Sequence, residues 1–125
     1  MSEKKVQSFE DLKVWQKAHT ITLEIYKVTQ KFPAEEKFGL ISQIRRSASS
    51  VAANIVEGFR KKSLRDSLNF YTIADASLEE LKYHLLLSRD LEYIKEGEYQ
   101  NILGLCEEVG KLLTRWIQSQ RNYLK

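Results

Sequence analysis

The chain has 125 residues, which fits one domain large enough to bury a core without disulfides or a structural metal. Hydrophobic residues make up 42% of it in runs of at most three, so composition excludes a transmembrane helix. The net charge of +3 is too small to indicate a polyanionic partner, and only the local charge distribution can do so. Five Gly and one Pro are too few for the turns of an all-β domain, so the composition predicts helices.

The N-terminal residues and the single cysteine indicate a cytoplasmic protein. Residues 1–6 include charges but no apolar stretch, so they do not form a secretory signal. Cys106 is the only cysteine, which excludes an intrachain disulfide, fits a reducing compartment and predicts a packing role. We expect residues 1–7 to form a flexible tail and residues 8–125 to form one domain.

The first helix is predicted to begin at Ser8, where Asp11 stands three residues later as in a capping box. Its apolar positions follow at spacings of three and four: Val14, Ala18, Ile21, Ile25, Val28 and Phe32. Pro33 ends it, because the residue before a proline avoids the α conformation.

The second helix is predicted to begin near Pro33, which suits a first helical turn. Its apolar seam is Ile41, Ile44, Ala48, Val51 and Ile55. Gly58 is expected to close it in the left-handed conformation, and residues 60–62 are expected to form the loop that follows.

The third helix is predicted to start at Ser63, which Asp66 follows in a second capping pattern, and to reach about Leu91 as the longest of the four. A connection at residues 92–97 leads to a fourth helix that runs almost to residue 125. The four segments span roughly 22–28 residues at about 1.5 Å rise each, and their short connections force neighbours to be antiparallel. The sequence therefore predicts an all-α, up-down-up-down antiparallel four-helix bundle.

The second helix also resembles a known family. Residues 43–58 read QIRRSASSVAANIVEG, which looks like the signature of the 23S ribosomal RNA intervening-sequence proteins. Residues 9–15, 38–40, 74–81 and 83–85 also resemble the family, so the likeness covers nearly the whole chain. The family's members are generally of unknown function.

The family that the chain resembles is itself similar to the accessory variability proteins of diversity-generating retroelements. Those bundles assemble as barrel-shaped pentamers and bind nucleic acid and a reverse transcriptase. What the likeness implies for this chain is a homopentamer. It does not imply a reverse-transcriptase partner, since nothing in the sequence shows a retroelement context.

A polar seam lies about 100° around the second helix from Ile44 and Val51. It consists of Gln43, Ser47, Ser50, Asn54 and Glu57. Small and hydrogen-bonding side chains would let another helix approach closely, either within the bundle or from another subunit. A solvated face and a ligand site are the alternatives. Asn54 and Glu57 are more often used to satisfy loop amides, or to pair with Arg46 or Arg60, than to form a site.

The strongest functional candidate is a concentration of cations in and after the second helix. It consists of Arg45, Arg46, Arg60, Lys61, Lys62 and Arg65. Repeated around a ring, these side chains would form a positive rim that binds phosphates without sequence preference. A solubilising loop is the alternative, because no aromatic residue except Phe59 is available there to stack bases.

No catalytic or cofactor motif can be read in the sequence. His19 and His84 lack the spacing of a bundle metal site, and no cofactor is predicted. The sequence shows no Ser-His-Asp order of a catalytic triad, no pair of buried carboxylates and no glycine-rich phosphate-binding loop. The chain is therefore interpreted as non-enzymatic.

The leading hypothesis is a ring-forming bundle whose basic rim binds RNA or DNA, with a nucleic-acid-processing protein as a further partner. The alternative is a scaffold that binds only protein. The sequence indicates neither a membrane nor a small-molecule substrate.

Overall fold

The apolar stripes fold into four long helices in the computed structural model, which describes residues 6–124. Helix α1 spans Lys13–Thr29, α2 spans Leu40–Arg60, α3 spans Leu64–Asp90 and α4 spans Glu96–Arg121. Short 3-10 turns occupy Phe9–Asp11, Ala34–Glu36 and Asn122–Leu124, and residues 6–124 contain no strand. The predicted all-α four-helix bundle is confirmed. Of the expected tail, residues 1–5 lie outside the described part of the chain.

The first two helices begin later than predicted and contain 17 and 21 residues. The Asp11 carboxylate accepts hydrogen bonds from the backbone N–H groups of Gln7 and Ser8, at 2.9 and 3.2 Å, but this box closes the turn Phe9–Asp11 rather than α1. Pro33 likewise precedes a 3-10 turn, and α2 starts only at Leu40. The predicted starts of α1 and α2 are therefore wrong, because each signal precedes a short 3-10 turn instead.

The predicted end of α2 at Gly58 is wrong. Within residues 6–124 no glycine has a positive φ, and Gly58 lies inside α2, which continues to Arg60 before Lys61 turns to extended backbone. The predicted start of α3 is confirmed, since the Ser63 hydroxyl accepts a hydrogen bond from the Asp66 N–H at 3.4 Å. With 27 residues, α3 is the longest helix.

One continuous core holds the helices together. The predicted stripes supply its fully buried residues, among them Ile21 and Ile25 of α1, Ile44 and Ile55 of α2, Leu78, Leu81 and Leu85 of α3, and Ile102 and Leu113 of α4. Burying each such side chain contributes on the order of 1.5–3 kcal/mol. Within the described residues, no helix is long and apolar enough to cross a membrane.

Tyr93 joins the two connections at one end of the bundle. Its hydroxyl donates to the Glu36 carboxylate at 2.9 Å, and its ring lies 5.3 Å from that of Phe32. The hydrogen bond to Glu36 raises the pKa of Tyr93. The α1–α2 turn and the α3–α4 turn are thereby fixed to each other.

Candidate nucleic-acid interface

The turn between α2 and α3 presents four cations at the other end of the bundle, a surface we name the basic corner: Arg60, Lys61, Lys62 and Arg65. Arg60 is the last residue of α2, and Arg65 is the second residue of α3. All four are exposed. Because the turn between the helices contains only residues 61–63, the four charges are held close together.

Among the described residues, one of the four cations, Lys61, is engaged by the bundle. Lys61 Nζ lies 3.7 Å from the Glu57 carboxylate and 4.9 Å from the centre of the Phe70 ring. Within residues 6–124, Arg60, Lys62 and Arg65 form neither a salt bridge nor a side-chain hydrogen bond. A phosphate could therefore bind these three without displacing a carboxylate.

A close contact between α2 and α3 sets the geometry of the basic corner. Gly58 is buried against the ring of Tyr71, which packs edge-on against Trp116 of α4 at 6.1 Å. A Cβ atom on Gly58 would lie 2.4 Å from Tyr71 Cε1. Because Gly58 has no side chain, the end of α2 packs directly against the Tyr71 ring of α3.

Arg45 and Arg46 do not belong to the basic corner. Fifteen residues separate Arg45 from Arg60, which is about 22 Å of helix. The Arg45 guanidinium stacks on the Tyr26 ring at 4.5 Å, and its Nε donates to Thr29 Oγ1 at 2.8 Å. The structure therefore divides the six candidate residues into two separate groups.

Arg46 instead joins a charged network between α2 and α3. Its guanidinium contacts Gln43 Oε1 at 3.1 Å and pairs with the Glu80 carboxylate, which also lies 3.0 Å from His84 Nε2. The hydrogen bond from His84, reinforced by Arg46, lowers the pKa of Glu80. Arg46 is already neutralised, so it offers less to an incoming phosphate than the free side chains of the basic corner.

The centre of the polar seam is an intrabundle contact. Ser47 is fully buried and donates to the Ile44 carbonyl at 3.0 Å. Ser50 and Ser77 of α3 share a hydrogen bond of 2.8 Å, and the Asn54 amide donates to Ser50 Oγ at 3.0 Å. This network satisfies polar groups between two closely packed helices.

The ends of the seam are exposed and lie beside cations. Gln43 contacts Arg46, and Glu57 lies near Lys61 rather than near Arg46 or Arg60. The seam is therefore two kinds of surface, buried in the middle and solvated at both ends.

His19, His84 and Cys106 were considered for metal or redox chemistry, and each of them packs against other residues of the bundle. His19 stacks on Trp15 at 4.9 Å, and His84 is held by Glu80. Among residues 6–124, no group of three potential metal ligands comes together. Cys106 is buried in the core, as its predicted packing role requires, and burial raises the pKa of its thiol to about 12.

Together the helices and the free cations define a small four-helix-bundle protein with a basic corner. The family model for the 23S rRNA-intervening sequence protein matches residues 10–115, and the chain belongs to this family. It is similar to a crystal structure of a protein with unknown function from the S23 ribosomal protein family of Bacteroides thetaiotaomicron. The two share 32% identity and a TM-score of 0.78, over 84% of this chain and 95% of that one. No curated protein matches the sequence. No enzymatic activity is indicated for the family or for the solved relative.

Proposed function

We propose that this chain is a non-enzymatic nucleic-acid-binding protein that contacts phosphates through its basic corner in the cytoplasm. The observation that carries the proposal is the freedom of Arg60, Lys62 and Arg65, which are exposed and have no acidic partner within residues 6–124. Cations that neutralise phosphates release condensed counterions, which favours binding at low salt and gives no sequence preference. RNA and DNA are both expected ligands.

Self-assembly is the second element of the proposal, with a homopentamer as the expected form. The family resemblance supports it, and so do apolar side chains on the outer faces of α1 and α3. Leu23 and Tyr83 are each 58% exposed, and Ile73 is 41% exposed. A ring would repeat the basic corner once per subunit, so several weak phosphate contacts would act together.

The test compares two variants that lose the same charge. Arg60→Gln, Lys62→Gln and Arg65→Gln are combined in one variant. The control combines Lys27→Gln, Lys95→Gln and Lys111→Gln, which are also exposed. Binding of a labelled mixed-sequence RNA is measured by fluorescence anisotropy across a salt series.

The plot of log affinity against log salt has a negative slope, and its magnitude is expected to decrease by about 2 in the first variant, since each lost contact to a single strand removes about 0.7. It should fall little in the control. Equal effects of the two variants would show that only net charge matters, and salt-independent or absent RNA binding would reject the proposal.

A protein-binding scaffold is the second candidate function, and the exposed apolar groups of α3 favour it. Tyr83 and Leu86 are 58% and 36% exposed and stand three residues apart on one helix, a spacing that places both beside a docked client helix. Co-purification of a partner that survives nuclease treatment and is lost in Tyr83→Ser would support this function. Under it, variants of the basic corner would bind the partner normally.

A further inference from the structure

An exposed phenyl ring stands on an ordered turn at the end of the bundle opposite the basic corner. Phe38 is 89% exposed, the largest exposure among the large apolar residues of the described chain. The residues that follow it in the turn are nevertheless hydrogen-bonded: Gly39 N–H donates to the Glu36 carbonyl at 3.0 Å, and Leu40 N–H donates to Glu36 Oε1 at 3.1 Å. The ring therefore lies in water on a turn whose backbone is tied to Glu36.

This ring borders a groove of about 430 Å³, a volume within the range of small-ligand sites. The other groups that line it include Tyr26, Ser42, Lys37, Arg45 and Arg46. Among the described residues, no carboxylate lines the groove. Two aromatic rings, a hydroxyl and three cations thus surround one space.

The cations of the groove differ in how firmly they are held. Arg45 is fixed on the Tyr26 ring, and Arg46 is paired with Glu80. Lys37 Nζ lies 5.5 Å from the centre of the Phe38 ring and forms no salt bridge within residues 6–124. The groove therefore offers one ordered cation, Arg45, and one cation, Lys37, without a carboxylate partner in the described chain, beside the exposed Phe38 ring.

We propose that this groove binds one unpaired nucleotide of a single-stranded nucleic acid. The base stacks on Phe38, and the phosphate lies against Lys37 and Arg45. Stacking on an aromatic side chain is available to any base whose face is open and unavailable to a base inside a duplex, so the groove selects single strands. The inference rests on the proposed nucleic-acid binding and adds the strand type and a second site.

The groove and the basic corner lie near opposite ends of α2. The separation of Arg45 from Arg60, about 22 Å of helix, matches about six nucleotides at the phosphate spacing of about 3.4 Å along one strand of B-DNA. A single strand of more than about six nucleotides is therefore long enough to reach from one surface to the other.

The first experiment uses the full chain and a labelled RNA strand of about 12 nucleotides, twice that span, alone and as a duplex with its complement. Phe38→Ala should weaken binding of the single strand about tenfold and leave duplex binding unchanged. Phe38→Tyr should restore the affinity. Tyr123→Ala, which removes an aromatic ring that is 76% exposed and lies outside the groove, is the matched control and should have no effect.

The inference is overturned if Phe38→Ala leaves single-strand affinity unchanged or weakens single-strand and duplex binding equally. It is also overturned if this variant changes the molar mass measured by light scattering, because Phe38 would then belong to a subunit contact.

A second experiment separates this inference from the proposed function. Adenosine 5′-monophosphate is titrated into the ¹⁵N-labelled chain, and the amide shifts of residues 37–42 are followed by NMR. Shifts that saturate in the wild type and vanish in Phe38→Ala support the groove even if no RNA strand binds at the basic corner. Salt-dependent RNA binding without any shift in residues 37–42 would reject the groove and retain the proposed function.

Discussion

Replacing Gly58 with alanine should destabilise the protein, although the same change usually stabilises a helix. Alanine in place of a glycine inside a helix gains roughly 0.5–1 kcal/mol, because it restricts the unfolded chain. At Gly58 the added Cβ would lie 2.4 Å from Tyr71 Cε1 and 2.7 Å from Cδ1. Carbon atoms pack best at about 3.5–4.0 Å, so the ring would have to move by about 1 Å.

The Tyr71 ring has little room to make that movement. Its side chain is 2% exposed and packs edge-on against Trp116. Overpacking of this kind costs about 1–3 kcal/mol, which exceeds the gain in helix propensity. We therefore expect Gly58→Ala to lower the free energy of unfolding by about 1–2 kcal/mol.

The assay is urea unfolding followed by far-UV circular dichroism, with Gly104→Ala as the matched control. Gly104 lies within α4, and a Cβ there meets no atom within 4 Å, so its replacement should stabilise. In a Tyr71→Leu background, the cost of Gly58→Ala should largely disappear. If Gly58→Ala proves as stable as Gly104→Ala, the reasoning about the α2–α3 contact is refuted.

Three further outcomes follow from the core and the helix contacts. Cys106 should resist iodoacetamide in the folded chain and react once urea unfolds it. Because burial raises its pKa from 9.0 to about 12, the contribution of Cys106 to stability is present below pH 9 and is lost between pH 9 and about 12. Rapid alkylation of native protein would contradict this. Ser77→Ala should cost about 1 kcal/mol of stability, and a double-mutant cycle with Ser50→Ala should show a coupling of similar size, which additive losses would disprove. The lowered pKa of Glu80 means that its contribution to stability is present above its ordinary value of 4.5 and is lost as the pH falls through the lowered pKa, so the free energies of unfolding of wild type and Glu80→Gln should converge as the pH falls below 4.5. Parallel curves would show that the contacts of Glu80 with His84 and Arg46 contribute nothing to stability.

The parts of this fold that depend on local spacing could be predicted from the sequence. A period of three and four places Ile21 and Ile25, or Leu78 and Leu81, on one helix face whatever the rest of the chain does. The Ser63 cap is similarly local, because the hydroxyl and the amide it binds are three residues apart. Both predictions are confirmed.

The parts that depend on contacts between elements could not. A glycine at this point of the sequence is typical of a helix end, but the role of Gly58 is set by its contact with Tyr71, thirteen residues later on another helix. The start of α2 depends on Glu36, whose carboxylate accepts from Leu40 N–H and from the Tyr93 hydroxyl. Neither contact has a periodic signal.

The candidate site was predicted only in part, for a reason of scale. Arg45 and Arg60 are near in sequence, yet a helix of fifteen residues extends for about 22 Å. The division of the cations follows from that rise and could have been read from the helix alone. The exposure of Phe38 could not, because an apolar residue beside a turn is equally compatible with burial until the turn is folded.

The hydrogen bond between Tyr93 and Glu36 joins the two halves of the bundle at the end opposite the α2–α3 turn. Helices α1 and α2 form one hairpin, α3 and α4 form the other, and residues 61–63 are the hinge between them. The hydrogen bond at the far end closes one hairpin against the other. If the hinge straightened, each hairpin would find the same partner surface, and the same tyrosine-carboxylate bond, on a second chain. Hairpin exchange would thus preserve the core while turning the short basic hinge into a bridge between two bundles.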